Sequence, residues 1–403
     1  MPNKRFLRRI PKTDLHVHLD GSMRLSTLID LAQSHNVELP SYTEDGLRET
    51  VFKERYRNLV EYLHGFQYTC AVLQTPEALE RTAYEFANDN YDEGVRYFEV
   101  RFAPQLHANE SLGVRDVIHA VNRGLARSKA EWNARPEVAS GSEPPYEYGM
   151  IVSAMRMFTG SFSRYYRDLV RLHQHAPKRE AFGMASLELA RAAVAVRDED
   201  GVPVTGFDLA GQEAGYPAED HIAAYDYAHR NFLKKTVHAG EAYGPESIFQ
   251  AITDLHADRI GHGYYLMTTD MIKSSQITDR ARYVRALARY IADRRITIEV
   301  CLTSNLQTNP DLHDLSEHAY HDMHKQRLSA TFCTDNRTVS HTTVTRELGL
   351  AMRAFDLHPK DLKNSVIYGF KRSFFPGSYV DKRDYVRRII DFYERIEREE
   401  GVS

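Results

Sequence analysis

Near its start the chain reads Thr13-Asp14-Leu15-His16-Val17-His18-Leu19-Asp20-Gly21-Ser22, and this stretch decides how the remainder is read. His16 and His18 stand two apart among β-branched and apolar residues. Side chains two apart on a strand share a face, so both imidazoles can approach one cation from one side. Asp20 continues the alternation, Gly21-Ser22 closes the strand, and a helical pattern begins over 25–31. A strand that ends in two imidazoles and runs into a helix is what a metal site needs from the first unit of a (β/α) barrel.

The HxH pair is weak by itself. With 19 His in 403 residues, one such pair is expected about once by chance. His173-Gln174-His175 is the chain's own control. It sits in a polar, helical pattern where two such rings diverge by roughly 200°, and it reads as solvated surface. The partners of His16 and His18 further along must therefore carry the argument.

A hydrophobic content of 42% with 27% charged residues describes a globular chain able to bury a large core. The formal net charge of −4, from 52 basic and 56 acidic residues, gives no footprint for nucleic acid or an anionic membrane. Three cysteines, Cys70, Cys301 and Cys333, make no disulfide framework and point to a reducing cytoplasm. The basic start lacks the apolar core of a signal peptide, and no apolar run approaches the ~18 residues of a membrane span. The Lys4-Arg5 and Arg8-Arg9 pairs read as a solvated lead-in.

Hydrophobic period gives eight strand-like segments, 13–19, 96–103, 148–155, 205–209, 235–239, 259–261, 297–302 and 329–334, separated by helical spacing. The 160–200 region is the other place where a strand can hide. Strands alternating with helices imply parallel pairing, and eight of them imply a closed α/β barrel, a (β/α)8 TIM barrel, formed by one domain over 1–403. Extra helices enter after the first strand, over about 22–93, too long a stretch for one crossover. They include a helix over 56–73. Residues 135–146, rich in Pro, Ser and Glu, read as an exposed, mobile loop, and C-terminal helices follow over about 342–400. There Tyr385, Ile389, Ile390, Phe392 and Ile396 form an apolar stripe.

Ionisable residues recur at the ends of these strands. His238 ends the fifth and Glu241 follows it, with Gly240 letting the backbone bend. His262 sits between Gly261 and Gly263 after the sixth, and Asp335-Asn336 follows the eighth. Each has a dull alternative: a satisfied core histidine, a packed turn, a helix cap. Together they fall at the C-terminal ends of strands one, five, six and eight, the face where barrel enzymes place their chemistry.

The strings TDLHVHLDGS, GFDLAGQEAGYP, TVHAGEAYG, RIGHGY, EVCLTSNLQT and CTDN together resemble the adenosine deaminase family of metal-dependent hydrolases. The resemblance implies a barrel holding one Zn²⁺, with His16, His18, His238 and Asp335 matching the metal ligands. Glu241 matches the acid that protonates purine N1, and His262 matches the base beside the water. Gly211 matches a backbone donor to the purine and Asp20 the contact to the ribose 5′-hydroxyl. Leu59, Tyr62, Leu63 and Phe66 resemble the apolar helix that gates the pocket, although their spacing equally suits a core stripe. The implied reaction is deamination of adenosine or 2′-deoxyadenosine to the inosine product plus ammonia, in purine salvage. The implied partner is a small purine nucleoside, with no nucleic acid or membrane.

The residue types suit that chemistry. Zn²⁺ bound by imidazoles and a carboxylate lowers the pKa of its water from 15.7 to ~7. Attack at C6 needs a proton delivered to N1, which a buried, protonated Glu241 supplies. Strand four, GFDLAG, has no Lys to form the bridge of two-metal relatives, so one metal is expected. Many members of the family carry a second Asp where this chain has Asn336. Purine N7 accepts, and an amide donates at any pH.

Three other readings are weaker. A multi-metal phosphoesterase also opens on HxH but needs further ligands and a basic pocket. A cytidine-deaminase-type editor needs PCxxC, and Cys70, Cys301 and Cys333 lack that spacing. A binding protein on this fold would not require the acid, base and ligand set. His318, His321 and His324, spaced i, i+3, i+6, read as a polar helix face.

Overall fold

The computed structural model describes residues 3–402; Met1, Pro2 and Ser403 lie outside the described residues. Eight strands carry the architecture: β1 (Lys12–His18), β2 (Val95–Phe102), β3 (Glu147–Met155), β4 (Val204–Ala210), β5 (Lys234–Ala239), β6 (Arg259–His262), β7 (Thr297–Val300) and β8 (Ala330–Phe332). Each pairs in parallel with the next, in chain order. The ring closes just past β8. There the His18 amide donates to the Asp335 carbonyl at 2.7 Å, and the Asp335 amide donates to the His16 carbonyl at 2.8 Å. The (β/α)8 barrel read from the sequence is the fold.

Strand alternation divides β2, VRYFEVRF, between two environments. Phe98 packs edge-on against Phe86 of the helix Pro76–Asp92, centroids 5.2 Å apart. Tyr97, Glu99 and Arg101 face the barrel interior, which is charged where many barrels are aliphatic. Glu299 of β7 accepts from Arg101 Nη2 at 2.9 Å and from Arg259 Nε at 2.6 Å. Arg259 also pairs with Glu99, and Arg101 Nη1 lies 3.4 Å from Asp208 Oδ2. All five side chains are buried. Removing one partner from such a cluster leaves an uncompensated buried charge, at a cost of about 3–5 kcal/mol.

Several segments differ from the sequence reading. The helix expected over 56–73 is two short helices, Leu59–Leu63 and Phe66–Val72, broken at His64-Gly65. A Cβ at Gly65 would lie 3.2 Å from the Phe52 ring, a tight fit. The basic lead-in is a docked helix, Lys4–Arg9, because it carries an apolar pair. Phe6 and Leu7 are buried, and Arg9 pairs with Glu399 and Glu400, each at 2.5 Å. Region 160–200 holds helices Arg164–Leu172 and Lys178–Asp200 and adds no strand. The 135–146 loop contains the turn Pro136–Ala139 and buries Tyr146, whose hydroxyl donates to the Ala87 carbonyl at 2.6 Å.

C-terminal helices run Val344–Ala354, Pro359–Arg372 and Tyr379–Glu399, the last burying Tyr385, Ile389, Phe392 and Ile396. Cys70, Cys301 and Cys333 are free and buried. Among the described residues, no helix is long and apolar enough to cross a membrane.

Candidate active site

The C-terminal ends of β1, β5, β6 and β8 converge at one mouth. His16 Nδ1 donates to Glu299 Oε2 at 2.9 Å, and its Nε2 is buried with no partner. His238 Nδ1 lies 3.1 Å from Asp208 Oδ1 and donates to it, leaving a lone pair on Nε2. His18 Nε2 is 3.1 Å from His238 Nε2. Asp335 Oδ1 lies 3.4 Å from His16 Nε2 and 3.5 Å from His18 Nε2. Ligand atoms of His16, His238, His262 and Asp335 fall within 4.8 Å of one another. His18 joins the same cluster through the two contacts just given.

This donor set fits a cation. With the hydrogens of His16 and His238 committed to Glu299 and Asp208, two nitrogen lone pairs and a carboxylate oxygen face one another. That arrangement is repulsive until a positive charge occupies its centre. Imidazoles and one carboxylate, each imidazole backed by a second carboxylate, suit Zn²⁺. Arg101 and Arg259, and then the bond from His16, hold the Glu299 carboxyl well below its usual range against the opposing effect of burial. The backbone is shaped for convergence: His262 and Asp335 sit at φ of 64° and 59°. Left-handed conformations cost a non-glycine residue about 1–3 kcal/mol each, so the surrounding contacts must over-determine them.

Glu241 lies beside this cluster, its Oε1 3.5 Å from His262 Nε2. Burial raises its pKa well above the ordinary carboxyl value, and the negative charges of Asp335 and Glu213 raise it further. The turn that carries it is clamped from beneath. Glu213 accepts from the amides of Gly240, Glu241, Ala242 and Tyr243 at 2.8, 3.0, 2.6 and 3.0 Å, and from Ser247 Oγ at 2.6 Å. Arg156 Nη2 donates to the His238 carbonyl at 2.5 Å. A cleft of about 650 Å³ abuts this turn, lined by Arg156, Glu213, Tyr216, Tyr243 and Phe249 and by none of the cluster histidines.

The remaining residues singled out from sequence lie on the segments that follow β1, β4 and β8. Asp20 is buried, accepts from the Gly21 amide at 3.2 Å, and faces Cys70 Sγ at 3.8 Å. Burial pushes its pKa up to about 6. Gly211 follows β4 at φ 95°, where a Cβ would lie 3.1 Å from Met155 Cε. Asn336 Nδ2 donates to the Tyr62 hydroxyl at 2.8 Å, and Tyr62 also meets Ser340 Oγ at 2.8 Å. Leu59 and Tyr62 are buried, while Leu63 and Phe66 are half-buried.

Two sequence readings of histidines have different outcomes. His173 and His175 are exposed, as read. His318 does not share a polar face with His321 and His324: it is 1% exposed and lies ahead of the helix Tyr320–Lys325. Its Nε2 reaches Asn305 Oδ1 at 3.1 Å, a better partner than water for a ring so placed. Sequence reasoning also missed Asp208, Glu213 and Glu299. The available signal was a lone carboxylate inside an apolar strand, as in GFDLAG and TIEV, which demands a buried partner.

A parallel barrel with a buried His/Asp cluster that could hold a metal, beside a carboxyl whose pKa burial raises at its C-terminal mouth, is the arrangement of metal-dependent hydrolases of the amidohydrolase type. The adenosine deaminase family profile matches residues 11–192 and 167–391. An adenosine deaminase of Mycobacterium avium is 34% identical over 374 residues, 92% of each chain. Among solved structures, an Arabidopsis N6-mAMP deaminase superposes with a TM-score of 0.72 at 25% identity, over 96% of this chain and 99% of that one. A zinc-bound amidohydrolase from Burkholderia ambifaria superposes with a TM-score of 0.76 at 19% identity, over 99% and 95%. The chain belongs to the adenosine deaminase family.

Proposed function

We propose that the chain is a single catalytic unit that deaminates adenosine and 2′-deoxyadenosine hydrolytically, giving the inosine product and ammonia in cytoplasmic purine salvage. The observation that carries the reading is Glu241, a carboxyl whose pKa burial raises, beside side chains that could hold a cation. One Zn²⁺ held by His16, His18, His238 and Asp335 would supply Lewis acidity and a water acidified to a pKa of ~7. Glu241 donates its proton to purine N1, so the ring accepts electrons as the water oxygen joins C6. His262 faces that oxygen. The C6–N bond then breaks, and the two hydrogens of the water end on N1 and on ammonia.

Asp20 reads the 5′ position. A carboxylate there accepts from a 5′-hydroxyl and repels a 5′-phosphate. Two like charges ~4 Å apart at an effective dielectric of ~20 cost about 4 kcal/mol. The Gly211 amide and the Asn336 side chain hold the base. Turning the Asn336 amide by half a rotation lets the Tyr62 hydroxyl donate to Oδ1 and presents Nδ2 to purine N7. Leu59, Tyr62, Leu63 and Phe66 cover the mouth.

The rival substrates are 5′-substituted adenosines such as aminodeoxyfutalosine, free adenine, and the N6-methyl nucleotide on which the Arabidopsis relative acts. The test is kcat/KM for adenosine, deoxyadenosine, adenine, AMP, N6-methyl-AMP and aminodeoxyfutalosine, measured side by side. Adenosine or deoxyadenosine should lead. If a phosphorylated or futalosine substrate exceeds both, Asp20 does not read a 5′-hydroxyl and the substrate assignment fails.

A further inference from the structure

His318 heads a chain of contacts that ends on His262. The Tyr320 amide donates to His318 Nδ1 at 3.0 Å. His318 Nε2 lies 3.1 Å from Asn305 Oδ1, and Asn305 Nδ2 lies 3.2 Å from His262 Nδ1. His318, Asn305 and His262 are all buried, so no water competes for these contacts.

The first contact fixes the direction of every other. A peptide N–H only donates, so His318 Nδ1 accepts and its neutral ring carries the hydrogen on Nε2. That N–H donates to Asn305 Oδ1, which turns the amide nitrogen toward His262. An amide NH₂ only donates, so His262 Nδ1 accepts and the hydrogen of its ring sits on Nε2. Reversing Asn305 would set its NH₂ against the His318 N–H, two donors head to head.

His16 and His238 show the opposite arrangement. Their Nδ1 atoms face carboxylates, Glu299 and Asp208, and donate away from the site, which leaves a lone pair on each Nε2. His262 faces an amide donor instead, and its Nε2 is buried without a partner, 3.5 Å from Glu241. We propose that Asn305 and His318 are positioning residues that hold His262 in its Nε2–H form. In that form His262 cannot ligate a metal, although its nitrogen lies within the cluster, and it serves as a hydrogen-bond donor to the oxygen added at C6. The fourth ligand position then falls to His18. The Glu241 carboxylate, emptied by transfer to N1, is then the acceptor for the water's protons, passing one to the departing amino group and keeping the other. What the donor faces rests on the deaminase reading; the ring's hydrogen does not.

The test is nitrogen NMR of the zinc-loaded full chain with ¹⁵N-labelled histidine, His262 being assigned by its loss in His262→Gln. The wild-type ring should show the Nε2-protonated pattern. Asn305→Asp, which offers Nδ1 an acceptor, should move hydrogen to Nδ1 with zinc content unchanged. His318→Leu should give mixed tautomers and a kcat lower by roughly 10–100-fold, with little change in KM. His318→Gln keeps an acceptor for the Tyr320 amide and a donor for Asn305, and should restore both the spectrum and most of kcat. An Nδ1–H ring in the wild type overturns the proposal, as does a tautomer indifferent to Asn305→Asp. A wild-type ring of the expected form in a protein that deaminates no 6-aminopurine would refute the function and uphold the tautomer.

Discussion

Replacing Glu213 by Gln tests whether the turn carrying Glu241 is held by its clamp. Oε1 serves the Gly240 amide and Ser247, while Oε2 serves Glu241, Ala242 and Tyr243. A glutamine sets its oxygen toward the three amides and its NH₂ toward the other two groups. Ser247 can rotate to accept, but the Gly240 amide is left unpaired and buried, costing about 1–3 kcal/mol. The three surviving bonds lose their charge assistance, at roughly 0.5–1 kcal/mol each. A stability loss of about 2.5–6 kcal/mol results, read as a lower midpoint in urea. A shift of ~1 Å in Glu241 costs about 100-fold in turnover, so kcat for adenosine should fall by that order with zinc retained.

The pH profile supplies an independent reading of the same variant. If Glu241 works protonated, as proposed, activity is present below its pKa and is lost as pH rises through it. The negative charge of Glu213 contributes to raising that pKa. Its removal lowers the pKa, and the basic limb of the profile moves to lower pH. A Glu213→Gln protein with the wild-type midpoint, kcat and basic limb would refute the clamp.

Three further outcomes are expected. Glu241→Gln should keep metal and fold yet lose about 10²–10⁴-fold in turnover, measured by the absorbance change on deamination; near-normal turnover would place the acid elsewhere. His238→Ala should abolish both the single bound divalent ion and activity, and elemental analysis finding two ions per wild-type chain would contradict the one-metal site. Tyr62→Phe removes the hydroxyl that orients the Asn336 amide. It should raise KM for adenosine about 3–10-fold, the worth of one buried hydrogen bond, while sparing 7-deazaadenosine, which lacks N7; equal effects on the two would detach Tyr62 from base recognition.

The barrel and the inner side chains of its mouth were legible because each signal is local. His16 and His18 lie two apart on one strand, and Gly240 and Gly263 mark where the backbone turns. The supporting side chains were not legible, because their partners are distant in sequence. Asp208 meets His238 from a neighbouring strand, Glu299 meets His16 from two strands away around the ring, and Glu213 reaches over to the β5 turn. His318 was misread for a related reason. A three-residue spacing suggests one helix face, yet the helix begins at Tyr320, after the first of the three histidines. Periodicity reports the direction of side chains only inside a continuous element. The break at His64-Gly65 hid in the same way, since one glycine in an apolar stripe lowers helix propensity without fixing a stop.

Glu299 has a consequence for how this protein can change. Its two oxygens serve His16, Arg101, Arg259 and Thr236 at once. A substitution at any one of these positions leaves donors or charge stranded for the others, so single steps away from the native set are steep even where a different full set would pack. Combinatorial libraries randomising Arg101, Thr236, Arg259 and Glu299 together should therefore yield working combinations that no sequence of individually tolerated changes connects. The barrel interior directly beneath the mouth would then restrict the routes by which the chemistry above it can drift.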